Sequence, residues 1–74
     1  SAYVDKNQSE IAEMEELTQS LGKDVSERDI ATIRRRFLEG ITPLEARLKA
    51  LAAHYQKYPQ VLRALREISP VQLR

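Results

Sequence analysis

The chain of 74 residues contains no cysteine and no tryptophan, two glycines, one phenylalanine and one histidine. Without cysteine there is neither a disulfide nor a thiolate metal site, and two glycines are too few for a glycine-rich phosphate loop. One imidazole cannot supply the three or four ligands of a zinc site. No apolar run approaches the roughly 20 residues of a membrane span, and no signal-peptide pattern occurs. We therefore expect no metal, no cofactor and no membrane association.

Hydrophobic and charged residues make up 42% and 31% of the chain, which is enough for one small core and for solubility. Stability must then come from helix packing, because the length allows a single domain. The absence of cysteine fits a reducing compartment, so the cytoplasm is the default location. The start at Ser1 and the helix-start pattern of Ser69 and Pro70 lead us to expect one domain of a longer polypeptide.

Glycine and proline divide the chain into segments whose apolar residues recur every three or four positions, as in amphipathic helices. This pattern predicts an all-α fold, a compact three- to four-helix bundle with short connections and the third helix at its centre. The predicted helices cover residues about 9–21, 27–39, 43–58 and 60–68. A flexible segment is expected over residues 1–8, and a tail or the start of a further helix over 69–74.

Capping residues mark the ends of the first two predicted helices. Asn7 and Glu10 can form a capping box at the start of the first, and Gly22 can end it in a left-handed conformation. Ser26 can cap the second helix by accepting a hydrogen bond from an N–H one turn further on, and Gly40 stops that helix. Both connections are therefore predicted from local chemistry alone.

The third predicted helix begins with Thr42 as N-cap and Pro43 in the first turn, and Pro59 closes or bends it. The inward faces follow from the apolar spacing of each helix. They comprise Ile11, Met14, Leu17 and Leu21 in the first helix, Ile30, Ile33, Phe37 and Leu38 in the second, Leu44, Leu48, Leu51, Tyr55 and Tyr58 in the third, and Val61, Leu62, Leu65 and Ile68 in the fourth.

Residues 38–46 resemble the first turn of helix-turn-helix regulators, in which one helix ends at glycine and the next begins at a capped polar residue. The resemblance covers nine residues. It ends there because the predicted third helix continues to Tyr58, where that family has a short helix, a second turn and a recognition helix. We interpret the match as shared capping chemistry and not as family membership.

The third helix carries small residues, Ala46, Ala50 and Ala53, on the side opposite its Leu/Tyr stripe. Neighbouring helices cover this side if the helix is central, or it stays open and receives a partner helix. The second interpretation predicts a partner site that also includes Tyr55 and Tyr58. Our leading hypothesis is a non-catalytic adaptor or docking domain that binds another protein or another domain of the same chain, with homodimerisation as a further alternative.

Charge is unevenly distributed, because residues 1–29 carry a formal −5 and residues 30–74 a formal +6. An acidic first helix can simply complement a basic second one. The alternative is a nucleic-acid-binding module that contacts the phosphate backbone. The outward-facing cations that predict this function are Arg28, Arg35, Lys57, Arg63 and Arg66.

Arg34 is the most informative single charge, because it falls on the apolar side of the second helix. We expect it to pair with a first-helix acid such as Glu10 or Glu13, with snorkelling to solvent as the second alternative and contact with a ligand as the third.

His54 is predicted to be a rim histidine rather than a catalytic base. A nucleophile–base pair would need Ser or Thr near His54, and Ser26, Thr42 and Ser69 are already accounted for by helix caps. The sequence therefore predicts that the domain is not an enzyme.

Overall fold

The computed structural model describes the backbone of residues 2–68 and the side chains of residues 6 and 8–68. The chain forms four α-helices and one 3-10 segment, with no strand over that range. They are α1 (Ala2–Leu17), α2 (Glu27–Leu38), α3 (Leu44–Ala52), the 3-10 segment (His54–Lys57) and α4 (Pro59–Ile68). The all-α bundle expected from the sequence is confirmed, and the tail over 69–74 lies outside the described residues.

The core takes side chains from every helix and from the 3-10 segment. Its buried members are Met14, Ile33, Phe37, Leu48, Leu51, Tyr55, Val61 and Leu65. Burying each of these side chains contributes roughly 1.5–3 kcal/mol. α3 contacts each of the other three helices, as α2 also does, and its stripe of Leu48, Leu51 and the following Tyr55 is fully buried, as predicted.

Leu38 is the exception among the predicted inward residues, since its side chain is 53% exposed. It is the last residue of α2, and the chain turns to an extended conformation at Glu39 (φ −93°, ψ 149°). Phe37 already fills the core at this end of the helix, so Leu38 is left on the surface.

The predicted limits of the first helix are wrong at both ends. Residues 2–8, expected as a flexible segment, form the first turns of α1, so Asn7 and Glu10 lie inside the helix instead of at its start. No glycine or proline interrupts this stretch, and the helix simply continues through it. α1 ends at Leu17, and Gly22 does not adopt the expected left-handed conformation; Gly40 is the glycine with positive φ (109°) among the described residues.

α2 begins as predicted, with the Ser26 hydroxyl accepting a hydrogen bond from the Asp29 N–H at 3.1 Å. The predicted third helix is divided, because its α-helical part ends at Ala52 and the 3-10 segment follows. Pro59 does not merely close the preceding helix but is the first residue of α4. Proline is tolerated there because the N–H that it lacks would have no partner within the helix. The residue before it, Tyr58, is accordingly non-helical (φ −129°, ψ 73°).

Candidate functional site

The turn between α2 and α3, residues 39–43, is held by a carboxylate from α1. Glu10 Oε1 accepts a hydrogen bond from the Ile41 N–H at 2.8 Å, and Oε2 accepts one from the Thr42 N–H at 3.0 Å. The Thr42 side chain and the Ile41 N–H, which hydrogen-bond the ionised form, lower the pKa of Glu10 from 4.5 to about 2. Thr42 thus hydrogen-bonds to the Glu10 carboxylate. The N-cap residue of α3 is Pro43, so the prediction of Thr42 at that position is wrong.

Arg47 of α3 lies behind the same carboxylate. Its side chain is 3% exposed, and Nη2 lies 3.9 Å from Glu10 Oε2. Nη1 donates to the Phe37 carbonyl in the last turn of α2. Burial lowers the pKa of Arg47, and the Glu10 charge opposes that shift. One buried ion pair therefore joins α1, α2, α3 and the turn.

Two large hydrophobic side chains of the described residues are exposed: Ile41 belongs to this turn, and Leu38 is the α2 residue that precedes it. Leu38 is 53% exposed and Ile41 57% exposed. Between them, Gly40 has φ 109°, and a Cβ there would lie 2.5 Å from Glu10 Oε1. Only glycine fits, since any side chain would both strain the backbone and displace the carboxylate. We call Leu38, Gly40 and Ile41 the turn patch.

The outer face of α3 is open. Ala46, Ala50 and Ala53 are all exposed, so neighbouring helices do not cover this side within residues 2–68. Tyr55 does not share the face, contrary to expectation, because it is fully buried and its hydroxyl donates to the Met14 carbonyl at 3.2 Å. That burial raises the pKa of Tyr55. Tyr58 is half-buried against the core.

The cations predicted to contact phosphate are exposed, and none forms an ion pair with another described residue. They lie on α2, on the 3-10 segment and on α4: Arg28 and Arg35, Lys57, and Arg63 and Arg66. Since α2 and α4 pack against each other, four of the five belong to adjacent helices.

Arg34 does not pair with Glu10 or Glu13 as predicted. Its Nη2 lies 3.8 Å from Glu67 Oε2 of α4, and its Nε is buried without a partner within the described part of the chain. Glu13 instead accepts from Arg36, whose Nε lies 2.9 Å from Oε2. The two acids expected for Arg34 are therefore taken by Arg36 and Arg47, which lie closer to α1.

His54 lies between a hydroxyl and a carboxylate, a neighbourhood that the sequence did not reveal. Its Nε2 is 2.7 Å from Thr18 Oγ1, and its Nδ1 is 3.7 Å from Glu15 Oε2. The Thr18 hydroxyl donates its one proton to the Glu15 carbonyl at 2.7 Å, so Nε2 must be the donor toward Thr18. A base that activates a hydroxyl needs the opposite polarity.

No group of three or more potential metal ligands occurs among the side chains that the structure describes. None of the helices within residues 2–68 combines the length and the apolar character needed to cross a lipid bilayer. No family model, no curated protein and no solved structure matches the chain.

Proposed function

We propose that the chain is a non-catalytic protein-interaction domain, an adaptor or docking module, whose contact surface comprises the turn patch and the outer face of α3. The observation that carries this function is the exposure of Leu38, at the end of α2, and of Ile41, on the following turn that Glu10 holds. Exposed aliphatic side chains grouped at one place are typical of interaction sites, whereas scattered ones are not. The partner is another protein or another domain of the same polypeptide.

The rigidity of the turn supports this function. Immobilising a flexible loop on binding costs affinity, and a turn that is already fixed avoids that cost. Here two backbone N–H groups and the buried Arg47 fix the Glu10 carboxylate beneath Ile41. The backbone of Ile41 is therefore fixed before any partner arrives.

The outer face of α3 extends the surface. Ala46 and Ala50 carry no long side chains, so a partner helix can approach the α3 backbone closely. A shallow hollow of about 250 Å³ lies at the start of this face, lined by Pro43, Glu45, Ala46 and Lys49. Polar residues beside an apolar centre are the usual composition of an interface rim.

The arrangement around His54 supports a non-catalytic function. The Thr18 hydroxyl is itself buried, and its proton is committed to the Glu15 carbonyl. His54 therefore orients the end of α1 and does not prepare a nucleophile.

The test compares the unchanged chain with the double variant Leu38→Ser/Ile41→Ser as affinity baits in an extract of the source cells. Each protein captured by the unchanged chain alone is purified and its binding remeasured by calorimetry. Amide shift changes in the labelled domain should then map to residues 38–46 and to Ala50. The proposal fails if the double variant binds every partner equally well, or if the shifts lie elsewhere. Sedimentation across concentration checks whether a second copy of the chain is the partner.

A nucleic-acid-binding function is the second candidate, favoured by the five exposed cations that lack ion pairs among the described residues. Its test is the affinity for a DNA or RNA duplex as a function of salt. Contacts to several phosphates require log K to fall steeply with log salt, and Arg63→Gln/Arg66→Gln should reduce that slope by about two. If binding at low salt is undetectable, or if its affinity does not depend on salt, the nucleic-acid-binding function is excluded.

A further inference from the structure

A hollow of about 380 Å³ lies between the end of α1 and the 3-10 segment, away from the turn patch. It is lined by Thr18, Gln19, Ala53, His54, Lys57 and Tyr58. Its volume falls within the roughly 300–1,000 Å³ of small-molecule pockets. We infer that this hollow binds the carboxylate of a small organic acid that carries one negative charge and an apolar body. This inference does not depend on the proposed docking function.

Three side chains around the hollow offer hydrogen-bond donors that nothing in the described part of the chain uses. They are the Gln19 amide, the Lys57 ammonium and the Tyr58 hydroxyl. Lys57 has no ion-pair partner in the described part of the chain, whereas the Nζ of Lys49 lies 3.7 Å from Glu45 Oε1. A carboxylate accepts several hydrogen bonds and gains most from a charged donor, so it matches one ammonium flanked by two neutral donors.

Two of the lining side chains, Thr18 and His54, form the wall of the hollow that already has hydrogen-bond partners within the chain. His54 donates from Nε2 to Thr18, and Thr18 donates to the Glu15 carbonyl, so neither requires the ligand. These bonds hold the wall in place whether or not a ligand is present. The hollow is thus formed in advance, as small-molecule sites usually are.

The lining limits the charge of the ligand. Lys57 is the one lysine or arginine on it, so a second or third negative charge on the ligand would have no further lysine or arginine of the lining to pair with. Phosphate is normally recognised by several cations or by arginine forks, which the hollow does not contain.

The ligand body is apolar because Ala53 contributes a methyl group and Tyr58 an aromatic ring to the lining. Tyr58 packs partly against the core, so its ring is held in place while its hydroxyl remains without a protein partner over residues 2–68. A rigid ring beside a cation suits an acid of the size of benzoate.

The test is a titration of the isotopically labelled chain with sodium benzoate at constant ionic strength, followed by amide chemical shifts. We expect saturable shifts at Gln19, Ala53, Lys57 and Tyr58. Lys57→Gln should weaken binding about tenfold or more, the effect of losing a charged donor. Lys57 is exposed, so this variant keeps the fold, which its spectrum verifies directly.

Four controls complete the experiment. Lys49→Gln should leave benzoate binding unchanged, and Tyr58→Phe should weaken it severalfold while keeping the ring. Benzamide, which lacks the charge, should not saturate, and inorganic phosphate should bind more weakly than benzoate. The inference is overturned if benzoate gives no saturable shift at these amides, if Lys57→Gln binds as tightly as the unchanged chain, or if benzamide or phosphate binds equally well.

Discussion

The Glu10 carboxylate and the Arg47 guanidinium, both 3% exposed, lie 3.9 Å apart beneath the turn that joins α2 to α3. Glu10 binds the N–H groups of Ile41 and Thr42, and Arg47 binds the Phe37 carbonyl. A tight turn beside the core leaves backbone groups that must find partners away from water. An apolar pair of equal volume could fill this space but could not satisfy those groups, which explains why two charges are buried in so small a domain.

Replacing Arg47 by methionine should destabilise the domain by about 3 kcal/mol, because the carboxylate then loses its buried cation. The free energy of unfolding is measured by urea titration followed by circular dichroism. Arg36→Met is the matched control, since it removes another ion pair between α1 and the rest of the bundle, that with the half-exposed Glu13. Its cost should stay below about 1 kcal/mol. Equal losses in the two variants would contradict the structural importance assigned to Arg47.

Stability should fall on acidification because the pKa of Glu10 is lowered to about 2 in the folded state. The unfolded chain takes up this proton near the ordinary value of 4.5, so the contribution is complete above that pH. It is lost progressively as the pH falls toward 2. Urea midpoints measured at neutral pH and at about pH 3 should show the loss. Glu10→Gln should flatten the acid limb of the profile, whereas Glu13→Gln should retain it.

The elements that the sequence predicted are those determined by neighbours along the chain. Leu48, Leu51 and Tyr55 recur at helical spacing, and the Ser26 cap needs only the next turn of its own helix. The same periodicity places Ala50 opposite the buried stripe, but it left open whether a neighbouring helix covers that side. The stripe and the cap are therefore predictable from the sequence alone.

The partners of the charged residues could not be predicted in this way. A helical wheel shows on which side of its own helix Arg34 or Arg47 lies. It does not show which residues of α1 pack beside that side. That packing depends on α1 extending from Ala2 to Leu17, which brings Glu10 to the turn instead of to a helix start. The exposure of Leu38 and the contact of Thr18 with His54 likewise depend on where separate helices meet.

Gly40→Ala should cost about 2 kcal/mol or more, because alanine is strained at φ 109° and its Cβ would overlap the Glu10 carboxylate. Gly22→Ala provides the comparison within the same chain. No atom lies within 4 Å of a Cβ at Gly22, and its backbone is outside the left-handed region. That change should stabilise slightly, by up to about 1 kcal/mol, because alanine restricts the unfolded chain. Thermal unfolding of the two variants separates these effects, and a neutral Gly40→Ala would show that the turn is not tightly held.

Tyr55→Phe should cost about 1–3 kcal/mol, because it removes a buried donor and leaves a buried acceptor without a partner. The tyrosine hydroxyl donates to the Met14 carbonyl in the last turn of α1, whereas the Thr18 N–H donates to the Glu15 carbonyl. The side chain therefore completes the end of α1 from the 3-10 segment. Hydrogen exchange should accelerate most in that last turn, around Leu17. Tyr58→Phe, whose hydroxyl has no partner over residues 2–68, should change stability by no more than about 0.5 kcal/mol. If Tyr55→Phe cost no more stability than Tyr58→Phe, the hydrogen bond to Met14 would not be what holds α1 to the segment.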